Sequence, residues 1–160
     1  MVTQPGLHDK DFVLWTQLLA EVLNAEVLER LRAEHPDIRY SHGFVFQQLV
    51  EGPRPVGEVA ENLGVTSQAI SKAARELEAL GYLERSPDPG DARVRRLALS
   101  RRGRAAVEAG RTARADLNRE LSEALGAARV EEAARTLVDA LTARGAMSEV
   151  RARRVPLSRP

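Results

Sequence analysis

Apolar residues recur at three- and four-residue spacing along most of the chain, the pattern of helices that bury one stripe. In the first such stretch, about residues 9–33, Phe12, Trp15, Leu19 and Val22 form the stripe, and Val13, Leu14, Leu18 and Leu23 widen it. A helix apolar around so much of its girth needs cover on more than one side. A chain of 160 residues struggles to supply that cover alone, so the pattern points to a subunit interface. Pro36, in EHPDIRYS, breaks this helix. Ser41 is placed to cap a second helix, about 42–51, which Gly52 and Pro53 end.

A short third helix is expected over about 57–63, with Val59, Ala60 and Leu63 inward. Gly64-Val65 makes a tight turn, and Thr66 is a good N-cap for a fourth helix over about 67–80. On that helix Ile70, Ala73, Ala74, Leu77 and Leu80 share one face, while Ser67, Gln68, Ser71, Lys72 and Arg75 share the other. Gly81 stands where a C-cap glycine belongs. The pattern then shortens to that of two strands, Tyr82–Arg85 and Val94–Leu99, around a PDPGD tip. A long helix from Ser100 to about Leu125 aligns Val107, Gly110, Leu117, Leu121 and Leu125, and a last one, about 129–144, aligns Val130, Ala134, Leu137, Val138 and Leu141. Residues 146–160 have little apolar content and four arginines, and are expected to form a flexible tail. There is no internal repeat and no linker, so residues 1–145 are expected to form one domain.

Two short helices joined by a tight turn and followed by a two-stranded wing make a winged helix-turn-helix. The fold class is therefore mostly α with a small β-wing. The second helix of such a pair enters the major groove of DNA while its partner crosses the backbone. Gln68 can offer a bidentate amide to adenine, and Lys72 or Arg75 can donate to guanine O6 and N7. Thr66, Ser67 and Ser71 are short enough to let the helix approach, and can bond phosphate or base. An ordinary solvated helix face is the alternative. Such faces mix acids with bases at i, i+4, whereas this one holds no acid before Glu76.

Composition narrows the picture. No cysteine is present, which excludes disulfides, thiolate zinc sites and thiol-based redox sensing. Three scattered histidines do not make a metal cluster, and no cofactor is called for. The apolar runs are too short for a bilayer and the N-terminus has no signal-peptide pattern, so a soluble cytoplasmic protein with no membrane partner is expected. The net charge of +1 hides a division: residues 1–63 carry five Lys or Arg against ten Asp or Glu, and residues 64–104 carry nine against five. Basic charge thus gathers on the presumed reading segment, as phosphate neutralisation requires.

The wing, SPDPGDARVRR, is the second candidate contact. An arginine projecting from a hairpin tip can enter a narrow minor groove. Arg93 and Arg95 are placed for DNA contact, and Asp91 is placed to orient the Arg93 guanidinium through a charge-assisted pair.

The segment VTSQAISKAARELEALGYLER, the wing PDPGDARVRRLALS and the Arg102-Gly103 opening of the next helix together resemble the multiple-antibiotic-resistance regulators, the MarR family. The resemblance runs from the first helix to about residue 144. The family's Asp-x-Arg wing is matched by Asp91-Ala92-Arg93; its Leu-Thr ending becomes Leu99-Ser100, and Ala92 replaces an often basic residue. The resemblance implies a reading lobe over about 53–100, flanked by dimerisation helices over about 9–33 and 100–144. It implies a homodimer on double-stranded DNA, acting as a repressor or activator at a pseudo-palindromic operator, often under small-molecule control. In relatives effectors bind between the dimerisation helices and the reading lobe. Trp15, Tyr40, His42 and Phe46 come from segments that could line such a ligand pocket, although lone aromatics at helical spacing more often pack in a core.

Two rival functions fit less well. A methyltransferase with a winged-helix lobe would need a glycine-rich nucleotide-binding α/β domain, and no such motif follows a strand. No Ser-His-Asp or paired-carboxylate constellation stands out, so an enzyme is not expected. A protein-interaction module would favour an apolar or acidic face on the fourth helix, and this face is polar and basic.

Overall fold

The computed structural model describes residues 11–88, 90 and 95–151. In chain order the elements are α1 (Phe12–Arg32), α2 (Tyr40–Leu49), α3 (Val56–Leu63), α4 (Ser67–Ala79), β1 (Leu83–Pro87), β2 (Arg95–Leu99), α5 (Arg101–Leu125), α6 (Ala127–Ala143) and α7 (Met147–Arg151). The architecture is mostly helical with a small antiparallel wing, as the periodicities predict.

Caps explain most boundaries. The Asp11 carboxylate accepts from the Leu14 N–H at 3.0 Å and starts α1. Thr66 Oγ1 accepts from the Ala69 N–H at 3.2 Å and starts α4, as its position suggests. Ser100 Oγ accepts from the Gly103 N–H at 3.1 Å and starts α5. Gly64 ends α3 at φ 65°, and Gly81 leaves α4 at φ 77°, backbone that glycine adopts without strain. The second helix is a correction. Ser41 lies inside α2, and Arg39 is the N-cap, its N–H donating to His42 Nδ1 at 3.3 Å. Histidine three residues into a helix gave no cap signal of the usual Ser/Thr/Asp/Asn kind. The last helix also begins earlier than expected, directly after Gly126, and residues 147–151 of the expected tail form α7.

β1 and β2 pair from Leu83 opposite Leu99 to Pro87 opposite Arg95. A third chain segment joins them: the Arg54 N–H donates to the Leu97 carbonyl at 2.9 Å, and the Leu97 N–H returns a bond at 2.8 Å. The wing root is thereby tied to the α2–α3 connection.

The core lies in the reading lobe and the start of α5. Val59, Leu63, Leu77, Tyr82 and Leu97 are its most enclosed large side chains, joined by Ile38, Val45, Phe46, Leu49, Ile70 and Val107. Leu117, on the apolar side of α5, is also buried within the chain. In contrast α1 and α6 have no buried residue at all. Phe12, Val13, Trp15, Leu18, Leu19 and Val22 of α1, with Leu137, Val138 and Leu141 of α6, are exposed.

The junction of α5 with the lobe is tight. A Cβ on Gly103 would lie 2.1 Å from the Tyr82 carbonyl oxygen, which already accepts the Ser100 N–H at 3.0 Å. Gly103→Ala should therefore destabilise by about 1–3 kcal/mol, the usual penalty of overpacking, despite alanine's better helix propensity. Thermal unfolding followed by circular dichroism should show a Tm lower by about 2–10 °C. An unchanged or higher Tm would mean that α5 can move away from Tyr82 freely.

Candidate functional site

The exposed face of α4 gathers the polar residues singled out above. Ile70, Ala74 and Leu77 are buried and fix which side faces out. Ser67, Gln68, Lys72 and Arg75 are exposed on the other side, Ser71 is half-buried between the faces, and Thr66 is exposed at the cap. The Thr66 oxygen accepts the Ala69 N–H, so its hydroxyl proton is what it offers outward.

The two acids nearest this face are held by other elements. Glu76 accepts from Arg39 Nη2 at 2.7 Å, and Glu78 accepts from Arg85 Nε at 2.5 Å. Among the described residues neither Lys72 nor Arg75 has an ion-pair partner, so their charge remains available to an anion. Sequence reading counted Arg85 simply as one more base of the segment. Its pairing across to α4 depends on the turn through Gly81, which periodicity does not reveal.

At the wing, Arg95 is exposed at the start of β2, opposite Pro87. Arg96, on the other face of the strand, pairs with Asp88 and reaches the Pro53 carbonyl at 3.4 Å. Asp91 and Arg93, the expected brace and minor-groove contact, lie outside the described residues. Arg54 below the wing donates to the Gln48 carbonyl at 2.6 Å and pairs with Glu51 and Glu58. Its guanidinium is thus engaged within the chain.

Next to the lobe, a cavity of about 210 Å³ opens between α1, α2 and α5. Its walls are mostly apolar: Val27, Leu28 and Leu31 of α1, Ile38, Phe44 and Phe46 beside them, and Val107 of α5. Tyr40 and Phe46, expected in a ligand pocket, are among its lining residues; Trp15 and His42 are not. Trp15 stands nine residues before Asn24, the first cavity residue of α1, about 14 Å further along the helix. It is 42% exposed, so it is not a core residue either. His42 turns inward, buried, with Nδ1 engaged by the Arg39 N–H. The reading from aromatic residues alone missed Asn24, Arg39 and Arg114, which bring polarity to the cavity. Their signal was only a polar residue interrupting an apolar helix face.

Burial moves His42 below its ordinary value of 6.5, with nearby Arg39 acting in the same direction and Glu76 opposing it. The folded protein therefore holds the imidazole neutral, with its proton on Nε2 as the Nδ1 bond requires. The unfolded chain takes up that proton first as pH falls. The stabilising contribution is full above about pH 6.5 and is lost as pH drops through the depressed folded value. Imidazole resonances of His42 should titrate below 6.5, and His42→Gln should flatten the pH 5.5–7.5 dependence of Tm. A His42 titration at or above the ordinary value would contradict this burial.

A tight turn, an outward polar helix and a two-stranded wing define a winged helix-turn-helix architecture. The comparisons agree. Residues 39–94 match the model of the MarR family. The transcriptional regulator Tm0710 from Thermotoga maritima is 26% identical, with 88% of this chain and 96% of that one covered at a TM-score of 0.62. YusO of Bacillus subtilis is 25% identical, covering 83% and 94%, at 0.67. S. aureus MepR, solved bound to ethidium bromide, shares the fold at 20% identity and a TM-score of 0.61, covering 82% and 95%. No curated protein sequence matches the chain significantly. Residues 39–94 are thus similar to the MarR family, and the chain as a whole shares the winged-helix fold of these transcriptional regulators. Among the described residues no helix is long and apolar enough to cross a membrane.

Proposed function

We propose that the protein is a sequence-specific, double-stranded DNA-binding transcriptional regulator that works as a homodimer, most simply as a repressor of a pseudo-palindromic operator. The observation that carries this reading is the outward face of α4: Gln68, Lys72 and Arg75 exposed, with Glu76 and Glu78 neutralised by Arg39 and Arg85. Two such helices of a dimer enter successive major grooves about one helical turn apart. Arg95 and Arg93 flank them from the wing, and Asp91 orients Arg93. The reading assigns the chain no catalytic step and places it in the cytoplasm.

Gln68→Ala should relax preference at one base pair per half-site, at a cost of about 1–3 kcal/mol. Lys72→Ala should weaken all sequences alike if it meets phosphate, and lower the salt slope by about one ion. Selection from randomised duplexes, followed by affinity measurement at several salt concentrations, separates these outcomes. Equal affinity of the wild type for every duplex would sink the specific-reader model.

The dimer reading rests on the uncovered apolar faces. α1 exposes Phe12, Val13, Trp15, Leu18, Leu19 and Val22, and α6 exposes Leu137, Val138 and Leu141. Exposed apolar side chains in this number are uncommon on a monomer and mark an interface. A second copy covers it by two-fold symmetry, the commonest closed assembly. Sedimentation at micromolar concentration should give a dimer. Leu137→Glu should dissociate it, since the interface offers no evident partner for a desolvated carboxylate. A monomer from the wild type at that concentration would refute the assembly.

The cavity between α1, α2 and α5 is the proposed effector site. MepR, which shares the fold, is known bound to ethidium bromide, and the largely apolar lining here suits a small organic molecule.

A further inference from the structure

Strand alternation separates the two arginines that open β2. Arg95 stands opposite Pro87 and is exposed, with no ion-pair partner among the described residues. Arg96 stands opposite Ser86 on the other face and is half-buried. Asp88, two residues beyond Ser86, is its diagonal neighbour on that face, within reach of a long side chain. The Asp88 carboxylate is engaged twice there. Its Oδ2 accepts from Arg96 Nε, and its Oδ1 accepts from the Gly90 N–H at 2.7 Å, an Asx-type turn just past β1. The Arg96 guanidinium goes on to the Pro53 carbonyl at 3.4 Å. One chain of contacts thus runs from the far end of the wing, through Asp88 and Arg96, to the α2–α3 connection.

A hairpin of this size needs such a brace. Its root is tied where Arg54 exchanges two backbone bonds with Leu97, at 2.9 and 2.8 Å. Past Leu97 the sheet is two strands wide, and a bare two-stranded hairpin is marginal in water. Arg95 lies beyond that tie, on the last rung of the ladder. We propose that Asp88 and Arg96 are the positioning pair of the wing, holding its last rung at a fixed angle to the lobe so that Arg95 meets the DNA backbone; this rests on the DNA-binding reading above. In this arrangement neither member of the pair touches DNA. Asp88 lies on a wing that faces a polyanion in the proposed complex, where an unpaired acid would only repel. Its side chain is 15% accessible and that of Arg96 32%, so the two charges are held largely against each other. The consecutive arginines therefore differ in kind: Arg95 neutralises phosphate, and Arg96 neutralises Asp88.

The test uses the full chain and a duplex that the wild type selects from a randomised pool, with affinity read by fluorescence anisotropy at several salt concentrations. Arg95→Ala should bind more weakly and lower the salt slope by about one ion per half-site. Asp88→Asn is the deciding variant, because its amide still accepts the Gly90 N–H while the charge that holds Arg96 is gone. Charge alone predicts tighter binding when an acid leaves the wing. The positioning pair predicts the reverse, a loss of about two- to fivefold, the range of a partly exposed ion pair. The salt slope should fall with it, toward that of Arg95→Ala, although no base has been removed. Arg95→Ala should then cost less in the Asp88→Asn background than in the wild type, since coupled residues do not add. Arg96→Gln should behave as Asp88→Asn does, and if it fails to fold the Asp88→Asn result decides alone. Unchanged or tighter binding by Asp88→Asn, or losses at Asp88 and Arg95 that simply add, overturns the positioning pair and leaves DNA reading intact. A wild type that selects no duplex overturns the DNA reading itself.

Discussion

Everything that positions the reading helix depends on the close approach of α5 to Tyr82. The ring of Tyr82 is fully enclosed, with His35 at 5.7 Å and Phe46 at 5.8 Å between centroids and the Arg102 guanidinium 4.4 Å above it. Arg102 also donates to the Leu80 carbonyl at 2.6 Å, taking up an acceptor that the end of α4 leaves unpaired. Gly103 completes the contact by having no side chain where the Tyr82 backbone passes. Three consecutive requirements meet at this joint: an aromatic that fills the core, a cation that stacks and caps, and a glycine that lets both backbones meet. Ala106 and Val107, further along α5, continue the attachment by packing into the same core.

From that joint the orientation of α4 follows by unequal contributions. Ile70, Ala74 and Leu77 are buried, and each large apolar side chain so enclosed is worth about 1.5–3 kcal/mol. The ion pairs of Glu76 and Glu78 are partly exposed, and such pairs contribute about 0–1 kcal/mol. Packing therefore decides where the helix lies, and the pairs decide its surface charge. They remove acidity from a helix that faces a polyanion in the proposed complex. That division explains why a helix containing Glu76 and Glu78 can still offer a basic face.

What could be read from sequence follows the same line. Short-range signals carried the elements: Thr66 as a cap, Gly64 and Gly81 at positive φ, and the inward face Ile70-Ala74-Leu77 all stand where their residue types place them. The α2 start was misplaced because a histidine accepts the Arg39 N–H, a cap that Ser41 seemed better suited to make. Side-chain partners across elements were not legible. Arg39 with Glu76, Arg85 with Glu78 and Arg96 with Asp88 join residues 37, 7 and 8 positions apart, and their geometry exists only once the turns are formed. The cavity was half legible. Tyr40 and Phe46 reach it, but Trp15 was grouped with them by residue type, and residue type does not report position along a helix.

α1 ties these separate observations into one mechanical argument. Its C-terminal half, from Asn24 to Leu31, walls the cavity. Its N-terminal half exposes the apolar stripe assigned to the partner subunit. Both halves belong to one uninterrupted helix of 21 residues that holds no Pro or Gly to kink it. The same helix is held to α5 by Arg30, whose two guanidinium nitrogens meet Glu120 at 2.9 and 2.7 Å. Filling the cavity and closing the proposed dimer thus act on one rigid element from opposite ends. In the proposed dimer, a ligand that spread α1 from α2 would shift the stripe on which the partner sits, and with it the separation of the two α4 helices. Groove spacing in DNA is fixed, so under the proposed reading that separation is what a ligand would act on.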